Sequence, residues 1–212
     1  MMESYLTIKE DGIHEIEINK SRFICHLKRT DTEEEALDFI ESIKKEHWKA
    51  THNCSAYTIG MNHETQRAHD DGEPSGTAGV PMLEIFKKRD LKNVTAVVTR
   101  YFGGKKLGAG GLIRAYGGSV NEAVKKIGMV HRQLLQAVDL TVPYPISGQT
   151  ENLLQESNYL LNDIKYTDVV TFKCFVKPEL LKTFKDEAMN WTNGQAMFEE
   201  GPNAYIEEEI FD

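Results

Sequence analysis

A glycine-rich and basic run occupies residues 99–118, with the sequence TRYFGGKKLGAGGLIRAYGG. It is predicted to end a strand, to form a loop that contains two lysines, and then to open a helix. The N-terminus of a helix presents backbone N–H groups and a partial positive charge, and glycine lets an anion approach the backbone closely. The run therefore predicts a site for a phosphate or a nucleic acid. The predicted anion- or nucleic-acid-binding residues are Arg100, Gly103, Gly104, Lys105, Lys106, Gly110 and Arg114.

Known nucleotide-binding motifs do not match this run. GGKKLGAG is neither GxxxxGK followed by Ser or Thr nor GxGxxG. A second interpretation therefore stays open, in which the glycines serve tight turns and helix packing and the lysines are only solvated. We favour the anion site because basic residues cluster throughout the surrounding segment.

A second group of polar residues comprises His52, His69, Asp71 and Glu73, in and before a predicted polar loop at 62–76. Histidines with carboxylates can bind a metal ion or transfer protons. The spacing gives little support, because no HExxH motif is present and DDG and PSG are ordinary turn sequences. These four residues form a secondary candidate site, and we predict no catalytic residue, no metal and no cofactor.

Charge is distributed unevenly along the 212 residues, whose net charge is -8. Residues 85–132 hold eleven basic residues against two acidic ones, which gives +9. Residues 1–84 hold nine against seventeen, which gives -8, and residues 133–212 hold five against fourteen, which gives -9. Such a basic block can attract an anionic partner locally despite the overall sign.

Length and hydrophobic periodicity predict an α+β fold with two domains, at residues 1–135 and 136–212. The predicted elements of the first domain are strands at 13–19, 22–27, 54–60 and 94–101, and helices at 31–48, at 77–89 and from the glycine-rich loop to 127. The predicted elements of the second are strands at 139–144, 160–166, 168–176 and 204–210, and helices at 146–157 and 178–191. The second order is β-α-β-β-α-β, the ferredoxin-like arrangement.

Two local signals describe the helices of the first domain further. Thr30 and Glu33 fit a capping box at the start of its first helix. Helical spacing in the helix after the glycine-rich loop predicts a buried stripe of Ile113, Tyr116, Val120, Val124 and Ile127.

The sequence also indicates a cellular compartment. The first residues, MMESYLTIKEDG, lack the basic end and apolar stretch of a secretion signal. The apolar run VTAVV at 94–98 is far shorter than the roughly 20 residues that cross a membrane. The three cysteines, Cys25, Cys54 and Cys174, show no CxxC spacing, as expected where thiols stay reduced. We therefore expect a cytoplasmic protein without a membrane partner.

Four separated blocks of the chain carry long motifs, namely SRFICHL at 21–27, HNCSAYTIG at 52–60, DDGEPSGTAG at 70–79 and VVTRYFGGKKLGAGGLIRAYG at 97–117. Together these blocks resemble the YigZ/IMPACT family. The run RYFGGKKLG is similar to the family's signature, whose positions here are Arg100, Tyr101, Phe102, Gly103, Gly104, Leu107 and Gly108. Residues 136–212 resemble the small domain that accompanies bacterial members.

The resemblance implies a fold and a functional setting. The first domain would be similar to the second domain of a small-subunit ribosomal protein and to domain IV of elongation factor G. The second would be similar to the ferredoxin-like C-terminal domain of elongation factor G. Eukaryotic relatives act in translational control by competing for an activator of a stress-responsive initiation-factor kinase. The family brings no agreed catalytic residues, and the partner of a bacterial member does not follow from the eukaryotic one.

We therefore expect a non-enzymatic binding protein that associates with RNA, the ribosome or a translation factor and regulates translation. The alternative is an enzyme acting on a small phosphorylated or acidic substrate, with the His/Asp/Glu group as acid–base or metal-binding residues. A third hypothesis is that the acidic second domain docks a basic partner protein. The sequence predicts no oligomeric state.

Overall fold

The computed structural model of the protein describes residues 4–210. Over this range the chain contains ten strands and five α-helices. It divides into two compact units, one comprising residues 4–132 with 207–210 and the other comprising residues 133–206. This is the two-domain α+β class that the sequence predicts.

The N-terminal unit is built on a five-stranded sheet. Its elements are β1 (Ser4–Ile8), β2 (Gly12–Ile18), β3 (Ser21–Arg29), α1 (Glu33–Glu46), β4 (His52–Ile59), β5 (Thr65–His69), α2 (Gly79–Lys88), β6 (Val94–Tyr101) and α3 (Gly108–Ile127). The sheet order is β2-β3-β6-β4-β5, and each neighbouring pair is antiparallel. The prediction of a continuous loop at 62–76 is wrong, because β5 pairs with β4 although its sequence TQRAH lacks apolar alternation.

Side chains alternate between the two faces of this sheet, and β6 shows the pattern. Ala96 and Val98 pack with α2 and α3 in the main core, whereas Val97 packs with α1. By the same alternation, Arg100 faces α2 and α3, and Tyr101 faces α1. The position of a residue along its strand therefore decides which partners its side chain can reach.

The cap of α1 differs from the predicted one. Thr32, rather than Thr30, is the N-cap, and its hydroxyl accepts a hydrogen bond from the backbone N–H of Glu35 at 3.2 Å. The hydroxyl of Thr30 is buried and bonds that of Thr95 at 2.7 Å. Either threonine suits an N-cap by its residue type. The contact with Thr95, which is distant in the sequence, decides between them.

Helix α3 buries a stripe shifted from the predicted one. Ile113 is 44% exposed, whereas Leu112, Ala115 and Tyr116 are buried. The buried residues continue along the helix to Val120 and Val124, as predicted. Since Leu112 and Ala115 also follow helical spacing, the pattern alone permits either face, and packing against the sheet selects one.

The C-terminal unit shows the predicted order β-α-β-β-α-β. Its elements are β7 (Met129–Val142), α4 (Tyr144–Glu156), β8 (Leu160–Tyr166), β9 (Val170–Val176), α5 (Leu181–Trp191, preceded by a 3-10 turn at Pro178–Leu180) and β10 (Met197–Ile210). The first residues of β7 and the last of β10 belong to the N-terminal unit. In the sheet, β10 pairs with β7, which pairs with β9, which pairs with β8. Leu140, Phe172 and Phe184 lie in the core of this unit.

His26 is a buried imidazole on the α1 face of the N-terminal sheet. Its ring lies 5.0 Å from the ring of His47, and its Nε2 has no hydrogen-bond partner among the residues that the structure describes. Burial, followed by the neighbouring His47, lowers the pKa of His26 to about 4, while Glu46 acts in the opposite direction. The folded chain therefore keeps this imidazole neutral at a pH where the unfolded chain protonates it.

Acidification is expected to destabilise the protein through His26. An unfolded imidazole has a pKa of about 6.5, so the unfolded state binds the proton first and stability falls as the pH drops below that value. Between about pH 7.5 and about pH 4.5 this residue lowers the free energy of unfolding by roughly 2–3 kcal/mol. Urea unfolding of the wild-type and His26→Phe chains over this range measures the effect. Parallel pH profiles for the two chains would contradict it.

Candidate functional site

One end of the N-terminal sheet gathers most of the predicted site residues. Arg100, next to the end of β6, pairs in register with His52 at the start of β4 and with Phe23 near the start of β3. The four connections at this end are the β2–β3 turn (19–20), the α1–β4 segment (47–51), the β5–α2 loop (70–78) and the β6–α3 loop (102–107). We call this region the loop end.

Arg100 is buried at the loop end and is not on the surface with the predicted lysines. Its Nη1 donates a hydrogen bond to Oε1 of Glu73 at 2.5 Å, and the same oxygen accepts one from the Tyr116 hydroxyl at 2.8 Å. The side chains of Arg100 and Glu73 are 6% and 4% exposed. The guanidinium also contacts the rings of Phe23 and Phe102, with Cζ 5.4 Å from each centroid. Arg100 therefore joins the two predicted groups of polar residues.

Three of the four secondary candidates meet beside this ion pair. His52 donates from Nδ1 to the backbone oxygen of Asp71 at 2.8 Å, and its Nε2 lies 3.8 Å from Oε2 of Glu73. The Asp71 carboxylate accepts from the backbone N–H of Asn53 at 2.7 Å and from Nζ of Lys44 at 2.9 Å. Burial opposes its ionisation, but these hydrogen bonds outweigh burial and hold the pKa of Asp71 below its usual value.

His69 lies apart from the other three candidates. It pairs with Ser55 across β4 and β5, and directly opposed residues point to the same face of a sheet. Ser55 and His52 are an odd number of residues apart on β4, so they face opposite ways. The sheet therefore separates His69 from His52. Proximity along the chain suggested one cluster, but the two-residue period of a strand divides it.

The polar cluster has structural partners for most of its reactive groups. Within residues 4–210, no group of three or more His, Cys, Asp or Glu side chains has the arrangement of a metal site. The Cys54 thiol donates to the backbone oxygen of Asp70 at 2.9 Å, and burial raises its pKa to about 12. Burial also raises the pKa of the Tyr116 hydroxyl. These contacts attach the β5–α2 loop to the sheet.

The N-termini of α2 and α3 differ at the loop end. The Asp70 carboxylate accepts hydrogen bonds from the backbone N–H groups of Gly76, Ala78 and Gly79, at 2.7, 3.0 and 2.9 Å, and so occupies the start of α2. Helix α3 begins at Gly108 without a side-chain cap and without an acidic residue in its first turn. Its first N–H groups therefore keep the partial positive charge of a helix N-terminus uncompensated.

Glycine occupies the predicted positions for different structural reasons. At Gly103, a Cβ atom would lie 2.0 Å from the carbonyl carbon of Lys20, so glycine permits close packing of two backbone segments. Gly104 has a φ of +83° with open space around it, a left-handed conformation that favours glycine. A Cβ atom at Gly110 would lie 3.7 Å from Nη1 of Arg114. The Arg114 side chain therefore reaches back over the first turn of α3.

The basic block at 85–132 divides into paired and unpaired cations once the chain is folded. Five of its cations form ion pairs with carboxylates in the described structure, namely Lys87, Lys92, Arg100, Lys125 and Arg132. Lys105, Lys106 and Arg114 are exposed and form no ion pair with any described residue. Since the partners Glu73 and Glu207 come from the acidic flanks, charge counted along the chain overstates the positive surface.

Two exposed aromatic side chains also lie at the loop end. Trp48 is 73% exposed and Phe102 is 47% exposed. Phe102 belongs to the predicted run, whereas Trp48 belongs to none of the predicted groups of site residues. A signal for it was present, because the buried stripe of α1 includes Ile40 and Ile43 and continues by helical spacing to residue 47. Trp48 falls next to that stripe and outside it.

Comparison with known families matches both parts of the chain. The Impact N-terminal domain matches residues 19–124, and a domain of unknown function, DUF1949, matches residues 140–195. The IMPACT family member YvyE of Bacillus subtilis is 55% identical over 99% of this chain and 97% of its own length. This chain belongs to the IMPACT family. The IMPACT family member YigZ of Escherichia coli is 35% identical, over 91% of this chain and 96% of its own length.

A eukaryotic relative and a solved structure extend the comparison of this IMPACT family chain. The protein IMPACT homolog of Saccharomyces cerevisiae is 34% identical over 42% of this chain and 35% of its own length. A crystal structure described as that of a hypothetical protein is similar with a TM-score of 0.61 and 34% identity, covering 93% of this chain and 97% of that one. The family resemblance noted in the sequence is thus confirmed. Among the described residues, none of the helices combines the length and apolar character needed to span a bilayer.

Proposed function

We propose that this IMPACT family protein is a cytoplasmic, non-enzymatic binding protein that engages RNA, free or in the ribosome, and regulates translation. The observation that carries the proposal is the group of exposed cations beside the open N-terminus of α3. Lys105 and Lys106 precede that helix, and Arg114 lies over its first turn. Within the described chain none of the three has an acidic partner, so their charge is available to phosphates.

The family resemblance supports the same setting. The domain types that it implies, those of a small-subunit ribosomal protein and of elongation factor G, occur in proteins that work on the ribosome. The eukaryotic relatives that it implies act in translational control. Since a fold does not specify a function by itself, the surface cations remain the main support for RNA binding.

Charge reversal at the loop end tests the proposal. A chain with Lys105→Glu, Lys106→Glu and Arg114→Glu is expected to bind ribosomal RNA fragments and ribosomes at least about tenfold more weakly at low salt. Each lost phosphate contact should also reduce the slope of log Kd against log salt concentration by roughly 0.7–0.9. Fluorescence anisotropy measures the RNA affinity, and cosedimentation measures ribosome binding.

A matched control separates the site from overall charge. Lys88→Glu, Lys126→Glu and Lys182→Glu change the net charge equally at exposed lysines of α2, α3 and α5 that form no ion pair with a described residue, and this chain should keep the wild-type salt slope. Equal weakening by the two triple variants would overturn the proposal. The proposal would also be overturned if the wild-type chain bound neither RNA nor ribosomes at low salt. Direct binding of a translation factor would not rescue it in that case.

A further inference from the structure

We infer that Trp48 and Phe102 are stacking platforms for unpaired RNA bases, so that the bound RNA contains a single-stranded segment. The inference rests on the proposed function and specifies the form of RNA that the loop end takes. Its evidence is separate, because it depends on two exposed aromatic rings, whereas the proposed function depends on the exposed cations beside α3.

Hydrogen bonds hold the two aromatic residues at the same end of the sheet. The backbone N–H of Phe102 donates to the Thr51 hydroxyl at 3.1 Å. His47, which precedes Trp48, forms a hydrogen bond of 3.0 Å with the Tyr101 hydroxyl. The α1–β4 segment, which contains Trp48, therefore runs along the end of β6 from which the chain continues to Phe102.

Each of the two rings is in contact with a cation. Nζ of Lys49 lies 4.9 Å from the centroid of Trp48, and Cζ of Arg100 lies 5.4 Å from that of Phe102. Because Glu73 holds Arg100, the guanidinium supports the Phe102 ring from inside the protein and leaves the rest of the ring to solvent. Aromatic rings of this kind stack on the faces of unpaired bases, with cation–π contacts adding to the interaction.

Unpaired lysines lie at the same end of the sheet as the two rings. The exposed lysines of the loop end are Lys20, Lys49, Lys105 and Lys106, and none of them has an ion pair within residues 4–210. Among the acidic side chains at this end, Asp71 is neutralised by Lys44, and Glu46 remains exposed. A surface of unpaired cations with exposed aromatic rings complements a chain of phosphates with accessible bases.

Single strands suit this surface better than duplexes do. In an A-form duplex the bases are stacked on each other and are not free to stack on protein rings. A duplex would contact the lysines and leave Trp48 and Phe102 without a partner. The exposed rings therefore favour unpaired nucleotides.

The test compares three polyanions, namely a short oligouridine, an RNA duplex of the same length and inorganic polyphosphate. The wild-type chain should bind the oligouridine most tightly. Trp48→Ala and Phe102→Ala should each weaken oligouridine binding by about 5- to 100-fold and leave polyphosphate binding unchanged. Trp48→Phe and Phe102→Tyr keep an aromatic ring and should retain most of the affinity. Fluorescence anisotropy competition gives the affinities.

Tryptophan emission reports on stacking directly. The chain has two tryptophans, so a Trp191→Phe chain keeps Trp48 as its single emitter. Oligouridine should quench that emission, and polyphosphate should not. A matched control is Tyr166→Ala, at an exposed aromatic residue of β8, which should bind oligouridine as the wild type does.

Two outcomes would overturn the inference in distinguishable ways. The stacking role would be excluded if the chain bound oligouridine and polyphosphate equally and both alanine variants bound as the wild type does. If Lys105→Glu and Lys106→Glu still weakened RNA binding in that case, the proposed function would stand. Failure of the wild-type chain to bind any of the three polyanions would remove both. Urea unfolding of each variant shows whether it is still folded. Phe102→Tyr keeps an aromatic ring, so retained binding by this variant would show that the loss in Phe102→Ala comes from stacking.

Discussion

A Glu73→Ala chain is expected to lose about 3–5 kcal/mol of unfolding free energy. The substitution leaves the guanidinium of Arg100 buried without its carboxylate, and it also removes the acceptor of the Tyr116 hydroxyl. Removing one partner of a buried ion pair is costly because the remaining charge stays out of water. Urea unfolding of the variant and wild-type chains measures the loss.

An exposed ion pair provides the control for Glu73. Glu84 pairs with Lys87 at 3.2 Å with its side chain 60% exposed, so Glu84→Ala should change stability by less than about 0.5 kcal/mol. A chain with Glu73→Leu and Arg100→Met should recover much of the loss, since apolar residues of similar volume can replace a buried pair. Equal effects of Glu73→Ala and Glu84→Ala would contradict the assignment of a buried ion pair.

A Gly103→Ala chain is expected to lose about 3 kcal/mol of unfolding free energy. The new Cβ atom would lie 2.0 and 2.1 Å from the carbonyl carbon and oxygen of Lys20 and 2.4 Å from the backbone nitrogen of Ser21. These are backbone atoms of the β2–β3 turn, so no side-chain rotation can relieve the contact. Chemical unfolding measures the cost.

Gly118 provides the opposite expectation at a second glycine. It lies inside α3, and a Cβ atom there would meet nothing within 4 Å. Because alanine favours a helix over glycine, Gly118→Ala should raise the free energy of unfolding by about 0.5–1 kcal/mol. If Gly103→Ala were as stable as Gly118→Ala, the close approach of the β6–α3 loop to Lys20 would be refuted.

Glu73→Ala and Gly103→Ala both change buried residues that position the proposed RNA site. Arg100, held by Glu73, contacts the ring of Phe102, and Gly103 sets the course of the chain between that ring and the exposed lysines. The buried ion pair and the glycine therefore position surface groups without binding a ligand themselves. This division explains why a signature run can contain both buried and exposed residues.

Regular elements were predictable where one signal dominated. The apolar run VTAVV predicts the strand that forms β6, and the helix predicted at 178–191 is present as α5 after the 3-10 turn at Pro178–Leu180. Strand β5 was not predictable, because its polar sequence matches a loop and only pairing with β4 makes it a strand. A local sequence pattern predicts an element when the element's own side chains stabilise it. The prediction fails when a neighbouring strand provides the stabilisation.

The candidate site was predictable in its residue types and less so in its geometry. Lys105, Lys106 and Arg114 lie on the surface where the glycine-rich run predicts them, whereas Arg100 of the same run points inward to Glu73. His69 joins none of the residues with which it was grouped, because it lies on the other face of the sheet.

By itself, the sequence determined the two-domain α+β class, the IMPACT family membership and the basic, glycine-rich run, since composition, periodicity and motifs are properties of the chain in one dimension. The tertiary structure alone decided which cations are free for a partner and that Trp48 joins them at the loop end. Ion pairs such as Arg100–Glu73 connect residues far apart in the sequence. Strand register and the alternation of side chains between sheet faces determine which of these residues meet.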